Sequence, residues 1–84
     1  MKEQLIKRII YAYEQGLEEL KYEDVDDMPI DSNYINPTTT EEQYAEEFGY
    51  MNAREGFELQ ESMYDEYLEQ ILEDSDSNLT LNDL

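Results

Sequence analysis

The chain has 84 residues, enough for one domain, and it contains neither cysteine nor histidine, which excludes disulfides and the usual thiolate or imidazole sites. Its 23 acidic and 5 basic residues give a net charge of −18, far beyond the magnitude of about 2 to 8 that suffices for solubility in a small domain. Such a charge repels nucleic acid and anionic lipid and attracts the proteins that bind them, so we expect no nucleic acid and no membrane as a direct partner.

The composition also bears on compartment and order. Because cysteine is absent and Lys7 and Arg8 stand where a signal peptide needs an apolar run, the sequence predicts a cytoplasmic protein. No stretch is long enough to span a membrane. Low hydrophobicity with high net charge is typical of disordered chains. Ten aromatic residues, most of them in phase with leucine and isoleucine, favour instead a fold from about residue 3 to residue 73.

The first predicted element is an amphipathic helix over residues 3–22. Its apolar residues recur at spacings of three and four, which places them on one face at about 3.6 residues per turn. These residues are Leu5, Ile6, Ile9, Ile10, Tyr13, Leu17 and Leu20. With Lys2 included, four basic and four acidic residues balance here, so this is the one neutral segment of the chain.

Residues 23–39 are predicted to form an acidic loop. Met28-Pro29 and Asn36-Pro37 break a helix, because each proline disfavours the helical conformation of the residue before it. Five acids give the loop a net charge of −5; they are Glu23, Asp24, Asp26, Asp27 and Asp31. Its apolar residues could lie on the core as a short extended stretch; they are Val25, Ile30, Tyr34 and Ile35.

A second helical segment is predicted over residues 40–73. Thr40-Glu41-Glu42-Gln43 has the pattern of a capping box that would start it at Thr40. Gly49 and Gly56 each cost about 1 kcal/mol in a helix interior, so the segment is either one long helix or two joined near residues 54–57.

Small residues recur in this segment at spacings of four, four and three: Ala45, Gly49, Ala53 and Gly56. Because they let another backbone approach closely, we expect the first helix to cross the second here. Larger residues are expected to supply the bulk on either side of the crossing: Tyr44, Phe48, Met51, Phe57, Tyr64, Leu68, Ile71 and Leu72.

Residues 74–84 are predicted to be a polar tail, either frayed or extended against a neighbour, with Leu79, Leu81 and Leu84 in alternation. Asp74-Ser75-Asp76-Ser77-Asn78 matches the start of an EF-hand calcium loop. The match fails at Leu79, where the loop needs glycine, and the twelfth-position glutamate is missing. A helix end is therefore the preferred interpretation, and we expect no metal and no cofactor.

The sequence thus predicts an all-α fold: a single domain over residues 1–73 of two to three helices, with the N-terminal helix packed on a long or broken C-terminal one. Residues 41–73 carry its densest charge, a net −10. The acids are Glu41, Glu42, Glu46, Glu47, Glu55, Glu58, Glu61, Asp65, Glu66, Glu69 and Glu73. Five of them recur at spacings of three or four and would form one stripe on a continuous helix; they are Glu58, Glu61, Asp65, Glu69 and Glu73.

These acids are predicted to form a partner-binding face. Like charges one turn apart destabilise a helix, and an ordinary solvated face would interleave lysines. Tyr50 and Tyr67 are added because tyrosine contributes large, rigid contact area with a polar tip. We expect no catalytic residue and no enzyme, because the chain offers no nucleophile with a recognisable base and no Gly-rich phosphate loop.

In net charge, in length and in runs such as Glu41-Glu42-Gln43-Tyr44-Ala45-Glu46-Glu47-Phe48, the chain resembles the small acidic inhibitors that bacteriophages direct against host nucleic-acid-binding proteins, known as DNA mimics. The resemblance is one of composition and character and carries over no residue. It implies a phage inhibitor in the host cytoplasm that fills the basic groove of a nuclease, nucleoid protein, polymerase or defence effector.

Two other functions remain open at this stage. The chain could be a structural or regulatory protein that docks through an apolar helix face, with its acids serving only as solvated surface. It could instead bind divalent ions as a buffer or for stability. Because so few helices leave an apolar face open, a homodimer is one way to cover that face.

Overall fold

The computed structural model describes residues 2–22, 24 and 33–84. It contains helix α1 at Lys2–Glu19, helix α2 at Thr40–Glu55 and helix α3 at Tyr64–Asp74. Short 3₁₀ turns occupy Glu61–Met63 and Leu81–Asp83, and no strand occurs among the described residues. The predicted all-α fold, with the N-terminal helix packed on the next one, is confirmed. Within the described ranges, no helix combines the length and apolar character needed to cross a bilayer.

Part of the predicted acidic loop lies outside the described residues. This holds for the acids Glu23, Asp26, Asp27 and Asp31 and for the apolar residues Val25 and Ile30. Of the residues expected to lie on the core, Tyr34 contacts the ring of Tyr11 at 6.0 Å between centroids, whereas Ile35 is mostly exposed. The Arg8 guanidinium donates a 2.7 Å hydrogen bond to the Ile35 carbonyl, so a backbone contact holds this segment beside α1.

Helices α1 and α2 approach each other through small residues, as the sequence predicts. Ala45, Gly49 and Ala53 of α2 are buried. A β-carbon on Gly49 would collide with the carbonyl oxygen of Ile9, and one on Gly16 would lie 2.7 Å from the β-carbon of Ala53. The two backbones are therefore nearly in contact at this crossing.

Gly56 is not part of the crossing, contrary to the sequence prediction. It ends α2 with a φ of 79°, and a β-carbon there would meet nothing within 4 Å. The Gly56 N–H donates to the Ala53 carbonyl, and the Phe57 N–H donates to the Asn52 carbonyl. This pair of bonds is the Schellman pattern of a helix end. The residue is glycine because the left-handed backbone is unfavourable for a side chain. The segment 40–73 is therefore two helices.

Helix α2 begins at Thr40, as the sequence predicts, but its N-cap lies one residue earlier than the predicted one. Thr39, and not Thr40, is the N-cap; its hydroxyl accepts a 3.1 Å hydrogen bond from the Glu42 N–H. The Glu42 carboxylate accepts in turn from the N–H and the hydroxyl of Thr38, at 2.8 and 3.1 Å. Three consecutive threonines offer similar caps, and the contacts of Glu42 with both Thr38 and Thr39 determine which of them caps the helix.

The core is narrower than the apolar stripe of α1 implies. The buried residues of α1 are Leu5, Ile9, Ala12 and Gly16, and Leu5 and Ile9 cluster with Ala45, Leu68 and Ile71. Ile10, Leu17 and Leu20, which were predicted to share this face, are exposed. The prediction fails for them because a crossing built on small residues buries only a narrow arc of α1.

The C-terminal segment packs on the domain instead of extending from it. Leu81 and Leu84 contact the core cluster, and the Asp83 carboxylate accepts from the N–H of Thr80 at 2.7 Å. The segment that resembles a calcium loop is a helix end, because the N–H groups of Asp76 and Ser77 bond to the carbonyls of Glu73 and Leu72. Asp76 takes the left-handed conformation there, with a φ of 54°.

The close approach of α1 and α2 yields a first prediction. Gly49→Ala should lower the free energy of unfolding by about 1 to 3 kcal/mol or more, because the new methyl group must push apart two backbones. Gly56→Ala is the control: its site has free space, so only the left-handed backbone strain of about 1 to 2 kcal/mol applies. Urea denaturation measures both, and a Gly49→Ala variant as stable as wild type would contradict the described crossing.

The end of α3 yields a second prediction. Asp76→Gly should raise the melting temperature, because it relieves the left-handed strain and removes a negative charge from a helix C-terminus. Asp76→Ala removes the same charge but keeps the strain, so it separates the two effects. Thermal unfolding followed by circular dichroism should place the glycine variant above the alanine variant; equal melting temperatures would argue against the described backbone at residue 76.

Candidate partner-binding site

The outer face of α3 is the most strongly acidic surface on a single element. Its four acids are exposed; they are Asp65, Glu66, Glu69 and Glu73. At 100° per residue they fall within an arc of about 100°, next to the arc of the buried residues Leu68, Ile71 and Leu72. No lysine or arginine occurs from residue 55 to residue 84, where the sequence has ten acids. We call these four residues the α3 acidic face.

The single stripe predicted from Glu58 to Glu73 does not form as such. Helix α3 begins at Tyr64, Glu61 opens the preceding 3₁₀ turn, and Glu58 lies in the connection after α2. Only Asp65, Glu69 and Glu73 keep the helical spacing. The cause is the helix end at Gly56, which turns the chain out of the path that a continuous helix would have followed.

The predicted acids of α2 divide into two groups. Glu42 and Glu46 hold the fold together: Glu42 caps its own helix, and Glu46 accepts hydrogen bonds from Arg8 at 3.1 Å and from Tyr34 at 2.8 Å. Glu41 is half-buried in the first turn. Glu47 and Glu55 are exposed and lie on the side of α2 that faces a groove.

Two acids of residues 41–73 are neutralised by basic residues of α1. Lys2 pairs with Asp65 at 2.9 Å and Arg8 with Glu46 at 3.1 Å. The Lys2 pair is exposed, so it contributes little, about 0 to 1 kcal/mol. Among the described residues, no other acid of the predicted face forms an ion pair.

A groove of about 680 Å³ lies between α2, the connection that follows it, and α3. Tyr44, Met51 and Phe57 line it and are 36%, 55% and 60% exposed. They were predicted to be core bulk, and that prediction is wrong: the core is formed by residues of α1 and α3 and by small residues of α2, which leaves this side of α2 open. Four acids also line the groove: Glu47, Glu55, Glu58 and Asp74. We call it the acid-lined groove.

The two tyrosines of the predicted site lie in different places. Tyr67 lines the acid-lined groove; its ring contacts Phe48 at 5.0 Å between centroids, and its hydroxyl accepts from the Gln60 N–H at 3.3 Å. Tyr50 lies about 200° away from Phe48 around α2 and lines a smaller cavity between α1 and α2. The fold therefore does not bring them together.

Tyr50 joins the two long helices through its hydroxyl, which donates a hydrogen bond to the Glu19 carboxylate. This bond to an anion, together with burial, raises the pKa of Tyr50. The Arg54 guanidinium lies 5.6 Å from the centre of the same ring. These contacts commit the Tyr50 side chain to the α1–α2 contact, whereas Tyr67 borders an open groove.

Sequence reasoning did not single out Tyr44, Met51, Phe57 and Asp74 as site residues. A signal for three of the groove residues was present in α2: Tyr44, Phe48 and Met51 recur at spacings of four and three, on a different face from Ala45, Gly49 and Ala53. Helix α2 therefore has one face of large apolar residues and one face of small residues, and only the small-residue face packs on α1. The other face had no predicted neighbour.

Among the described residues, no group of three or more acids is placed to hold a metal ion. Comparisons of the chain with known protein families, with curated proteins and with solved structures found no match. The candidate site is therefore defined by its own geometry: the α3 acidic face and, beside it, the acid-lined groove.

The cap of α2 yields a pH prediction. The Thr38 N–H holds the pKa of the Glu42 carboxyl below its ordinary value. A lowered folded-state pKa means that the ionised form stabilises the fold above the ordinary pKa and that this stabilisation is lost as the pH falls through the lowered value. Glu42→Gln should therefore lower the free energy of unfolding at neutral pH, and the difference from wild type should shrink in acid. Urea titrations between about pH 3 and pH 7 measure it; a constant difference would contradict the described cap.

Proposed function

We propose that this chain is an acidic inhibitor that occupies the basic nucleic-acid-binding groove of a partner protein, and so acts as a DNA mimic. The observation that carries the proposal is the α3 acidic face. Its acids are exposed, share one side of a helix and, within the described part of the chain, form one ion pair, between Lys2 and Asp65. A set of like charges costs stability on a small helix, so a cationic surface that receives them accounts for the pattern.

The charge spacing supports mimicry. Residues 65–73 span about 12 Å of helix axis at 1.5 Å per residue, so their four carboxylates have a mean axial spacing of about 4 Å. One strand of B-DNA carries a phosphate about every 3.4 Å of axis. The α3 acidic face thus approaches the charge density of one short stretch of a strand. The partner classes that follow are a nuclease, a nucleoid protein, a polymerase or a defence effector, met in the cytoplasm of a host by a phage protein.

A second candidate function rests on the exposed Met51 and Phe57. In this alternative the chain is a structural or regulatory protein that docks through its apolar surface, and its acids only keep it in solution. The two functions differ in what neutralising the α3 acidic face does. Under mimicry it weakens binding; under apolar docking it leaves binding unchanged.

The test begins with capture of partners from a bacterial lysate on the immobilised full chain, followed by competition with duplex DNA. We expect DNA to displace the captured protein, and we expect the affinity to fall as salt rises from about 50 to 300 mM, because ions screen charge pairs at the surface. Affinity that stays constant with salt, or a partner that DNA does not displace, would contradict mimicry.

A matched pair of variants locates the contact. Glu69→Gln with Glu73→Gln removes two charges from the α3 acidic face and should weaken binding about tenfold, or 1.4 kcal/mol. Glu3→Gln with Glu14→Gln removes two exposed charges from α1 and should change affinity by less than about twofold. An equal loss of affinity in both double variants would show that net charge alone is responsible and would contradict the assignment of the contact to α3.

A further inference from the structure

We infer that the acid-lined groove receives an amphipathic basic helix of the partner, with apolar residues on one face and lysine or arginine on both flanks of that face. The inference rests on the proposed function and specifies which element of the basic partner is held. It adds an apolar anchor to a contact whose charges act on association rate and specificity more than on affinity.

The lining of the groove is suited to side chains from a protein. Tyr44, Met51 and Phe57 form part of one concave surface and are all exposed. Aromatic residues and methionine are enriched at protein interfaces, and methionine adapts its shape to different partners. The volume of about 680 Å³ lies within the range of about 300 to 1,000 Å³ that is usual for binding sites.

The charges of the groove select a cationic occupant. Glu47 and Glu55 come from α2, Glu58 from the connection and Asp74 from the end of α3. No basic residue lines the groove, and none of these four carboxylates makes an ion pair within the described part of the chain. A lysine or arginine placed here could also lie over the ring of Tyr44 or Phe57, which favours a cation.

The placement of these acids favours a helix as the occupant. Glu47 and Glu55 are about 12 Å apart along α2, which matches slightly more than two turns of a partner helix. Asp74 lies across the groove on α3, so acids from both helices flank the apolar lining. A helix that inserts an apolar stripe and carries cations on either side is complementary to this arrangement.

A second copy of this chain is a poor occupant. Each copy carries a net charge of −18, and two such surfaces repel. The most basic element of the chain, α1, buries Leu5 and Ile9 within its own fold. Anionic lipid is disfavoured by the same acids, so the charge of the groove points to a cationic protein segment.

The probe is a synthetic peptide of about 18 residues made of leucine and lysine, with leucine at the positions of one helical face. A scrambled peptide of the same composition is its control. Fluorescence anisotropy measures the binding of each to the full chain. We expect the amphipathic peptide to bind at least about tenfold more tightly than the scrambled one, because only the first presents an apolar stripe to the groove.

Two double variants test the place of binding. Met51→Gln with Phe57→Gln should raise the Kd of the amphipathic peptide about tenfold. The control is Ile10→Gln with Leu20→Gln, which removes Ile10 of α1 and Leu20 just after its end; they are 38% and 58% exposed and lie outside the groove. The Kd of this control should stay within about twofold of wild type. All four residues are exposed, and thermal unfolding verifies that each variant folds.

The outcomes separate the two proposals. If the groove variant binds the peptide as wild type does, or the scrambled peptide binds equally well, the groove inference is overturned. If that variant still captures a partner that DNA displaces, mimicry stands without the groove. If DNA fails to compete with wild type for any captured partner, the proposed function is overturned, and with it the inference that depends on it.

Discussion

The close contact between the backbones of α1 and α2 determines how the rest of the chain is arranged. Gly49 lies against the Ile9 carbonyl and Gly16 against Ala53, so the two helices meet without large side chains between them. This geometry leaves the apolar volume of the domain to a few residues, among them Leu5 and Ile9. Helix α3 completes the core by adding Leu68 and Ile71 to that cluster.

The same contact decides which charges remain available. By bringing α1 against α2, it places Arg8 beside Glu46 and the Glu19 carboxylate beside the Tyr50 hydroxyl. These groups bond to each other within the fold. The acids of α3 and of the groove lie outside the α1–α2 contact, and among the described residues α1 pairs with one of them, through Lys2 and Asp65. Three of the five basic residues, Lys2, Lys7 and Arg8, lie on α1, whereas α3 carries none.

Much of the fold could be predicted from local pattern, because helical periodicity and helix-ending residues act over a few neighbours. Leu5, Ile9 and the small residues of α2 were recognised in this way. Local pattern could not distinguish Gly49 from Gly56: one is required by a neighbouring helix and the other by its own backbone angle. It also could not choose among three adjacent threonines, since the choice depends on a hydrogen bond from Glu42.

The candidate site was less accessible to sequence reasoning. Acids that look alike along the chain differ in what they meet in space: Glu42 and Glu46 bond to Thr38, Arg8 and Tyr34, whereas Glu69 and Glu73 face solvent. The groove is formed by side chains from two helices and their connection, so no single segment reveals it. That the acids bind a partner stays a prediction, now restricted to the α3 acidic face and the groove.

The weak attachment of α3 has a consequence for motion. Most contacts between helices join α1 and α2, and α3 is held mainly by Leu68, Ile71 and Leu72. Elements with few buried contacts open first, and here the helix with the densest like charge is also the most lightly anchored. Amide protons of α3 should therefore exchange with deuterium sooner than those of α1. A cationic ligand that neutralised this helix would slow that exchange, so under the proposed function binding and rigidity would be coupled in the same eleven residues.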